Sequence, residues 1–382
     1  MLLPADRAGR SVGAMTSVEP RPAVPVTVER TPRPVMFWAL VGAGFLLLMI
    51  YEWGSSWLAG DLVPTTAGRD TAPAWATVSV RAQEIALGVL ALVVIWLVVI
   101  RPWRREGHLT LDGMMVISWA TMWAIQDPWV SYSQTTISYN STAVNLGCPQ
   151  CHAPGWQSSQ ALAEPIIWGL GCYIGPMYLA TLLAGKLMSR ARERWPSTGK
   201  FGLTMIAIGS LAVADLVLEV FWTRTGVYTY GGGHPAISLF DEHYYKYPLW
   251  VGAIWGVAWG LIAAVRFFRD DRGHTVAERG INRVNTTPRR KQLLRLLALV
   301  GIMNSSFAFV YNVPVQIFSM HAHAFPQDLL NRPYLLGGVC GAGTDYACPD
   351  ARIPIPRGDT SARITPEGTL HAPNGLPNQL PR

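Results

Sequence analysis

The sequence predicts an all-α polytopic membrane protein, a bundle of about seven transmembrane helices. Only 14% of the 382 residues are charged, 50% are hydrophobic and 16 are Trp, a balance suited to a chain whose solvent is partly lipid. Seven apolar segments approach the roughly 20 residues that a bilayer core demands: about Val35 to Leu58, Val80 to Ile100, Leu111 to Val130, Glu164 to Leu187, Phe201 to Trp222, Pro248 to Phe268 and Leu293 to Phe318. Lys and Arg fall in alternate connections. Sixteen lie in the loops after the second, fourth and sixth segments, and only Arg69, Arg81, Arg224 and Lys246 in the other three.

Basic loops stay in the cytoplasm, so this alternation orients the chain as an integral plasma-membrane protein with a cytoplasmic amino terminus and an extracytoplasmic carboxyl terminus. It also explains the formal charge of +7 without nucleic acid, since no soluble domain gathers the basic residues. The lipid bilayer is the first partner implied, and the sequence says little about oligomeric state.

Residues 1–34 mix Pro, Arg and Val without periodicity and read as a disordered cytoplasmic tail. They lack a short apolar core with a cleavage site, so the first segment reads as a retained anchor of a membrane domain over residues 35–325. Glu52 and Glu84, near the ends of the first two segments, are taken as solvated. The third segment closes with "WAIQDPWVSY", where Asp127 precedes the helix-kinking Pro128.

The next loop holds "NLGCPQCHAPGW". A C-x-x-C-H could attach haem c through Cys148, Cys151 and His152, but the remaining chemistry needs no haem, and a Cys148–Cys151 disulfide or inert thiol pair is the preferred reading. The fourth segment opens with Glu164 before Pro165, a carboxylate at a positive helix end. In the fifth, "LAVADLVLEVFWTRTGVY" spaces Asp215 and Glu219 at i and i+4 on one face, with Arg224 and Tyr228 just beyond. Carboxylates at such depth cost roughly 2.5 to 3.5 kcal/mol each on insertion scales, which makes them candidates for function.

The sixth segment is preceded by "FDEHYYKYP", with His243 and Tyr244. In the seventh, Tyr311 and Asn312 continue a polar face from Asn304. His321 and His323 read as surface histidines rather than metal ligands, so no metal is expected. Residues 326–382 form a Pro/Gly-rich extracytoplasmic tail in which Cys340 and Cys348 are a second candidate disulfide.

Six segments, including "GHLTLDGMMVISWATMWAIQDPWVSY", "LAVADLVLEVFWTRTGVYTY", "EHYYKYPLWVG" and "RRKQLLRLLALVGIMNSSFAFVYNV", resemble the AveC-like family of integral membrane spirocyclases, in family order over most of residues 33 to 325. The resemblance implies closure of a polyketide-like dihydroxy ketone to a spiroketal, with dehydration in some members, in secondary-metabolite biosynthesis. Such a reaction moves no electrons and needs no cofactor. It requires an acid to expel the hemiketal hydroxyl, a carboxylate to stabilise the oxocarbenium ion and a base for the attacking hydroxyl.

Two carboxyl groups close together in a low-dielectric site do not both ionise, so Asp215 and Glu219 are assigned as the acid and cation-stabilising pair, in either order. Asp127 is the next acid or base, and Glu164, Arg224, His243, Tyr244, Tyr311 and Asn312 would orient the hydrophobic small-molecule substrate. Two other classes compete: a membrane lipid or terpenoid cyclase or isomerase using the same acid chemistry, and a non-enzymatic transporter or receptor.

Overall fold

The computed structural model describes residues 33–65, 71–131, 137–154, 163–319 and 323–336, and the backbone of a short ribbon pairing Arg363–Ile364 with Leu370–His371. Cys340, Cys348 and His321 lie outside the described residues, as do residues 1–32. Seven long helices occupy the seven apolar segments: α1 (Arg33–Ala59), α2 (Ala74–Glu106), α3 (Leu111–Ser131), α4 (Ile166–Arg194), α5 (Lys200–Arg224), α6 (Leu249–Phe267) and α7 (Pro288–Ser319). The protein is an all-α polytopic membrane protein.

Six of these helices are long and apolar enough to cross a membrane; α3, at 21 residues, is long enough but too polar. Its position explains the difference. It packs against α1, α2, α4 and α7, and Met114, Met115, Trp119 and Met122 are fully buried. A helix shielded on all sides by other helices need not be apolar to the lipid. The outer helices instead expose large apolar side chains such as Leu40, Leu92, Phe201 and Val217, as lipid-facing surfaces do.

Glycines set the closest helix pairs. On α6, Gly252, Gly256 and Gly260 recur every fourth residue and form one face against α5. A Cβ on Gly256 would lie 2.6 Å from Ala212 Cβ, and one on Gly260 2.5 Å from Ile208 Cγ1. Gly42 of α1 and Gly301 of α7 cross in the same way, a Cβ on Gly301 falling 2.2 Å from the Trp38 carbonyl oxygen.

Three helices contain a wide π turn at a proline that cannot donate to the preceding turn: Ile95–Ile100 before Pro102, Tyr173–Met177 around Pro176, and Ala308–Asn312 before Pro314. The second and third present Tyr173 and Tyr311 to the site described below.

At the end bearing the basic loops, Arg266 of α6 makes a two-pronged bond to Asp112 of α3 at 2.6 and 2.9 Å, and Arg295 meets the buried Glu278 at 2.7 Å. The opposite end is roofed by loops carrying two ribbons: β1 (Ser138–Tyr139) with β2 (Tyr228–Thr229), and β3 (Ser238–Leu239) with β4 (Tyr247–Pro248). The folded part continues past residue 325. Two short helices, α8 (Gln327–Leu330) and α9 (Pro333–Leu336), bury Leu329 and Leu335, and Ser141 N–H donates to the Tyr334 carbonyl at 2.9 Å.

Two expectations need correction. Glu52 and Glu84 are 1% and 3% exposed rather than solvated. Glu52 accepts from Trp129 Nε1 at 3.0 Å, tying α1 to α3, and Glu84 pairs with Arg81 at 2.6 Å while accepting from Val144 N–H at 2.7 Å, tying α2 to the roof.

Cys148 and Cys151 are joined as a disulfide, the pairing preferred from the sequence. His152 bonds Asp61, Ser56 donates to the Pro149 carbonyl at 2.8 Å and Gln150 Nε2 to the Pro128 carbonyl at 2.6 Å. The disulfide loop thus clamps the carboxyl end of α1 to that of α3.

Candidate active site

Near the roofed end, α3, α4, α5, α6 and α7 enclose a cavity of about 30 Å³ lined by Asp127, Glu219, five tyrosines (139, 173, 228, 230 and 311) and Trp168, Trp222 and Trp255. No Lys or Arg lines it. The tryptophans and tyrosines pack edge to face, Trp168 on Trp222 at 5.1 Å and Tyr228 on Tyr230 at 5.7 Å, which makes the walls rigid and apolar between the polar tips.

Asp127 sits in the last turns of α3, where Pro128 follows it. Its Oδ2 accepts from the Tyr139 hydroxyl and its Oδ1 from the Tyr173 hydroxyl, both at 2.9 Å. The Glu164 side chain is fully buried and hydrogen bonds to Asp127. Two carboxylates in such contact would repel in a medium this apolar, and a proton on either one relieves the pair. The sequence separates these residues by a loop, and the roof brings them together: Leu146 N–H donates to the Glu164 carbonyl at 3.3 Å, bridging Asn145 to Pro165.

Glu219 faces the same cavity. Its Oε2 accepts from the hydroxyls of Tyr228 at 2.6 Å and Tyr230 at 2.7 Å. The two tyrosines are alternate residues of an extended segment and therefore share a face. Burial pushes the hydroxyl pKa of Tyr139, Tyr228 and Tyr230 well above the usual tyrosine value, and the neighbouring carboxylates add to it. They remain neutral donors. Tyr311 shares a hydrogen bond with Tyr230 and stacks on Phe307 at 4.7 Å.

Asp215, one turn deeper than Glu219, points elsewhere. Its Oδ2 accepts from Tyr247 at 3.0 Å, its Oδ1 is buried with no partner, and it does not line the cavity. Asn312 bonds the Gln126 backbone and side chain at 3.1 and 2.9 Å, and Gln126 in turn reaches Asn304, a polar seam joining α3 to α7.

Arg224, His243 and Tyr244 form a separate cluster at the rim. The Arg224 guanidinium lies 4.5 Å over both Phe240 and Tyr245, His243 stacks on Tyr245 at 4.7 Å, and Tyr244 donates to the Arg224 carbonyl at 2.8 Å. None of the three lines the cavity.

The arrangement therefore comprises two carboxyls in contact, Asp127 with Glu164, and a third, Glu219, fixed by two neutral hydroxyls across the aromatic cavity from Asp127. Tyr139, Tyr173 and Tyr230 were not singled out from the sequence. The alternation in "GVYTY" is the signal that pointed to Tyr230; Tyr139 and Tyr173 carry none.

No curated protein and no solved structure matches the chain. A family model does, that of the AveC-like spirocyclases, over residues 103–335, which span α3 to α9 and every wall of the cavity. With more than half of its length in that match, the chain belongs to the AveC-like spirocyclase family.

Proposed function

We propose that this protein is a membrane-embedded spiroketal cyclase acting by acid and base chemistry on a polyketide-like dihydroxy ketone, with dehydration as an associated outcome. One observation supports this above the rest: Asp127, hydrogen-bonded to the buried Glu164 behind it, and a separately held carboxyl, Glu219, line one aromatic cavity. In the reaction one substrate hydroxyl adds to the ketone to give a hemiketal. The Asp127–Glu164 pair protonates the hemiketal hydroxyl, which leaves as water. Glu219 faces the oxocarbenium ion so formed, and its negative charge stabilises the cation.

The second hydroxyl then attacks the cationic carbon, and its proton returns to the Asp127–Glu164 pair. The net change is loss of one water and formation of one C–O bond to each hydroxyl. If the cation instead loses a neighbouring proton, the product is the dehydrated enol ether, so the same site accounts for both outcomes. No electrons move, and no cofactor is needed for this course. Tyr228 and Tyr230 hold Glu219 in place, and the surrounding aromatic rings exclude water that would capture the cation.

The cavity of about 30 Å³ holds roughly one water and is far smaller than ordinary ligand sites. Substrate must therefore widen it. The π turns of α4 and α7, which carry Tyr173 and Tyr311, are where the backbone ladder is already interrupted. With the amino terminus in the cytoplasm, the orientation that the basic loops favour, the cavity lies in the outer half and an apolar substrate reaches it from within the bilayer.

The test is conversion of a synthetic dihydroxy ketone by the purified chain in lipid nanodiscs, with the product resolved by chiral chromatography. Wild type is expected to give a single configuration at the spiro carbon, and Glu219→Gln only the slow uncatalysed mixture. A mixture from both would reject the proposal.

A further inference from the structure

A second, larger cavity lies at the other end of the molecule. It is an open groove of about 520 Å³ between the α1–α7 pair and the α5–α6 pair. Its walls are Leu261, Ile262 and Val265 of α6 and Ile302, Met303 and Phe309 of α7. Leu261 and Phe309 are exposed on the lipid-facing surface, so the groove opens sideways to the bilayer. It shares no lining residue with the acid cavity.

At its polar end stand two cations. Lys200 is the first residue of α5, and Arg279 lies in the loop after α6, fixed by the bond from Val35 N–H of α1 to its carbonyl at 3.2 Å. No carboxylate lines the groove. Five arginine or lysine side chains elsewhere are paired with carboxylates: Arg81 with Glu84, Arg266 with Asp112, Arg295 with Glu278, Arg332 with Asp328 and Lys246 with Asp241. Among the described residues neither Lys200 nor Arg279 has an ion pair. The hydroxyls of Thr204 and Ser306, also in the groove, already donate to the Lys200 and Ala258 carbonyls, at 2.9 and 3.3 Å.

We propose that this groove is a binding site for one anionic phospholipid, its acyl chain along the α6–α7 wall and its phosphate between Lys200 and Arg279. The match is in kind as well as charge. The occupant must be long and apolar where the groove is apolar, and negative where its two cations stand without a carboxylate. A zwitterionic headgroup carries its own cation, and a neutral polyketide offers the two basic groups nothing. Basic pockets between helices at one membrane surface bind acidic headgroups on this principle. The site is independent of the cyclase reading, because it shares no residue with the acid cavity.

Native mass spectrometry of the full chain, titrated with phosphatidylglycerol or phosphatidylcholine of identical acyl chains, tests it. Phosphatidylglycerol is expected to bind at one preferred site. Lys200→Gln or Arg279→Gln should each reduce the preference over phosphatidylcholine about fivefold, and the double variant about 25-fold, while Lys200→Arg keeps it. Arg290→Gln, at the same end but outside the groove, is the control and should change nothing.

Thermal unfolding of each variant in detergent without lipid checks that the fold is retained. Equal binding of the two lipids overturns the proposal. So does a preference that survives the double substitution, or one that falls equally in Arg290→Gln. Displacement of phosphatidylglycerol by the dihydroxy ketone at one-to-one stoichiometry would make the groove a substrate site and overturn it as well.

Discussion

Asp127→Asn separates the chemistry of the site from its architecture. The carboxyl group accepts one tyrosine hydroxyl on each oxygen, from Tyr139 and from Tyr173, both at 2.9 Å, and also meets Glu164. An amide of the same shape keeps one acceptor and replaces the other with an N–H₂ group. One charge-assisted bond, worth about 1.5 to 3 kcal/mol, is lost. Part of that loss is offset, since a charge no longer needs burying and the amide donates to Glu164. The net cost to folding is expected to be about 1 to 2 kcal/mol.

The cost to catalysis is larger. An amide cannot share a proton with Glu164, and removal of a positioned acid lowers rates by about 10² to 10⁴-fold, equivalent to about 3 to 5 kcal/mol of barrier. The assay is single-turnover conversion of the dihydroxy ketone in nanodiscs, read by chiral chromatography, beside thermal unfolding of the same preparation. A variant that folds, yet gives product only at the uncatalysed rate and without stereochemical preference, is the expected result. Conversion within about threefold of wild type, with its configuration retained, would refute the assignment of Asp127 and Glu164 as the acid.

Other outcomes follow from the same geometry. Tyr228→Phe and Tyr230→Phe each remove one of the two hydroxyls holding Glu219, so each should slow turnover about tenfold with little change in stability, and the double variant should lose more than the product of the two. Because Tyr139, Tyr228 and Tyr230 have raised pKa values, the stabilisation they give is complete below the usual value near 10 and lost as pH climbs through the raised ones; tyrosinate absorbance should show them silent at about pH 11 until the protein unfolds.

Gly256→Leu should prevent α5 and α6 from closing, costing more than about 3 kcal/mol in thermal unfolding, since Ala212 Cα and the Ile208 carbonyl lie only 2.9 Å from the added carbon; Gly44→Ala, with nothing within 4 Å, is the control. Replacing Cys148 and Cys151 with Ser should destabilise the roof by about 2 kcal/mol on the chain-entropy account of a short loop, measured by the same unfolding assay with and without reductant.

Apolar length sufficed to locate the seven helices because each must satisfy its own backbone over a bilayer thickness, a constraint written locally in the chain. The i, i+4 spacing of Asp215 and Glu219 was equally local, but its meaning was not. Successive turns rise about 5.4 Å, enough to set one carboxyl in the aromatic cavity and the other against Tyr247.

The pairing of Asp127 with Glu164 depends on how the roof loop folds over α3, and no periodicity encodes that. Arg224, His243 and Tyr244 stood near the site in sequence, yet Arg224 ends α5 and the other two lie in the loop between β3 and β4, so they meet at the rim, where aromatic rings rather than the cavity receive them. Tyr173 was hidden for a different reason: its inward position is set by the π turn around Pro176, which shifts the helical register by a residue.

The polarity of α3 has a consequence for how the chain enters the membrane. A segment is handed to the bilayer during synthesis largely on its own apolarity, and α3 falls short of the other six long helices. It emerges before α4 and α7, two of the helices that bury it. Its stable insertion therefore waits on partners made later, and the carboxyl group of Asp127 is admitted to the membrane only together with the tyrosines and Glu164 that will surround it. For this helix, the contacts that bury it in the bundle and those that build the candidate site are the same.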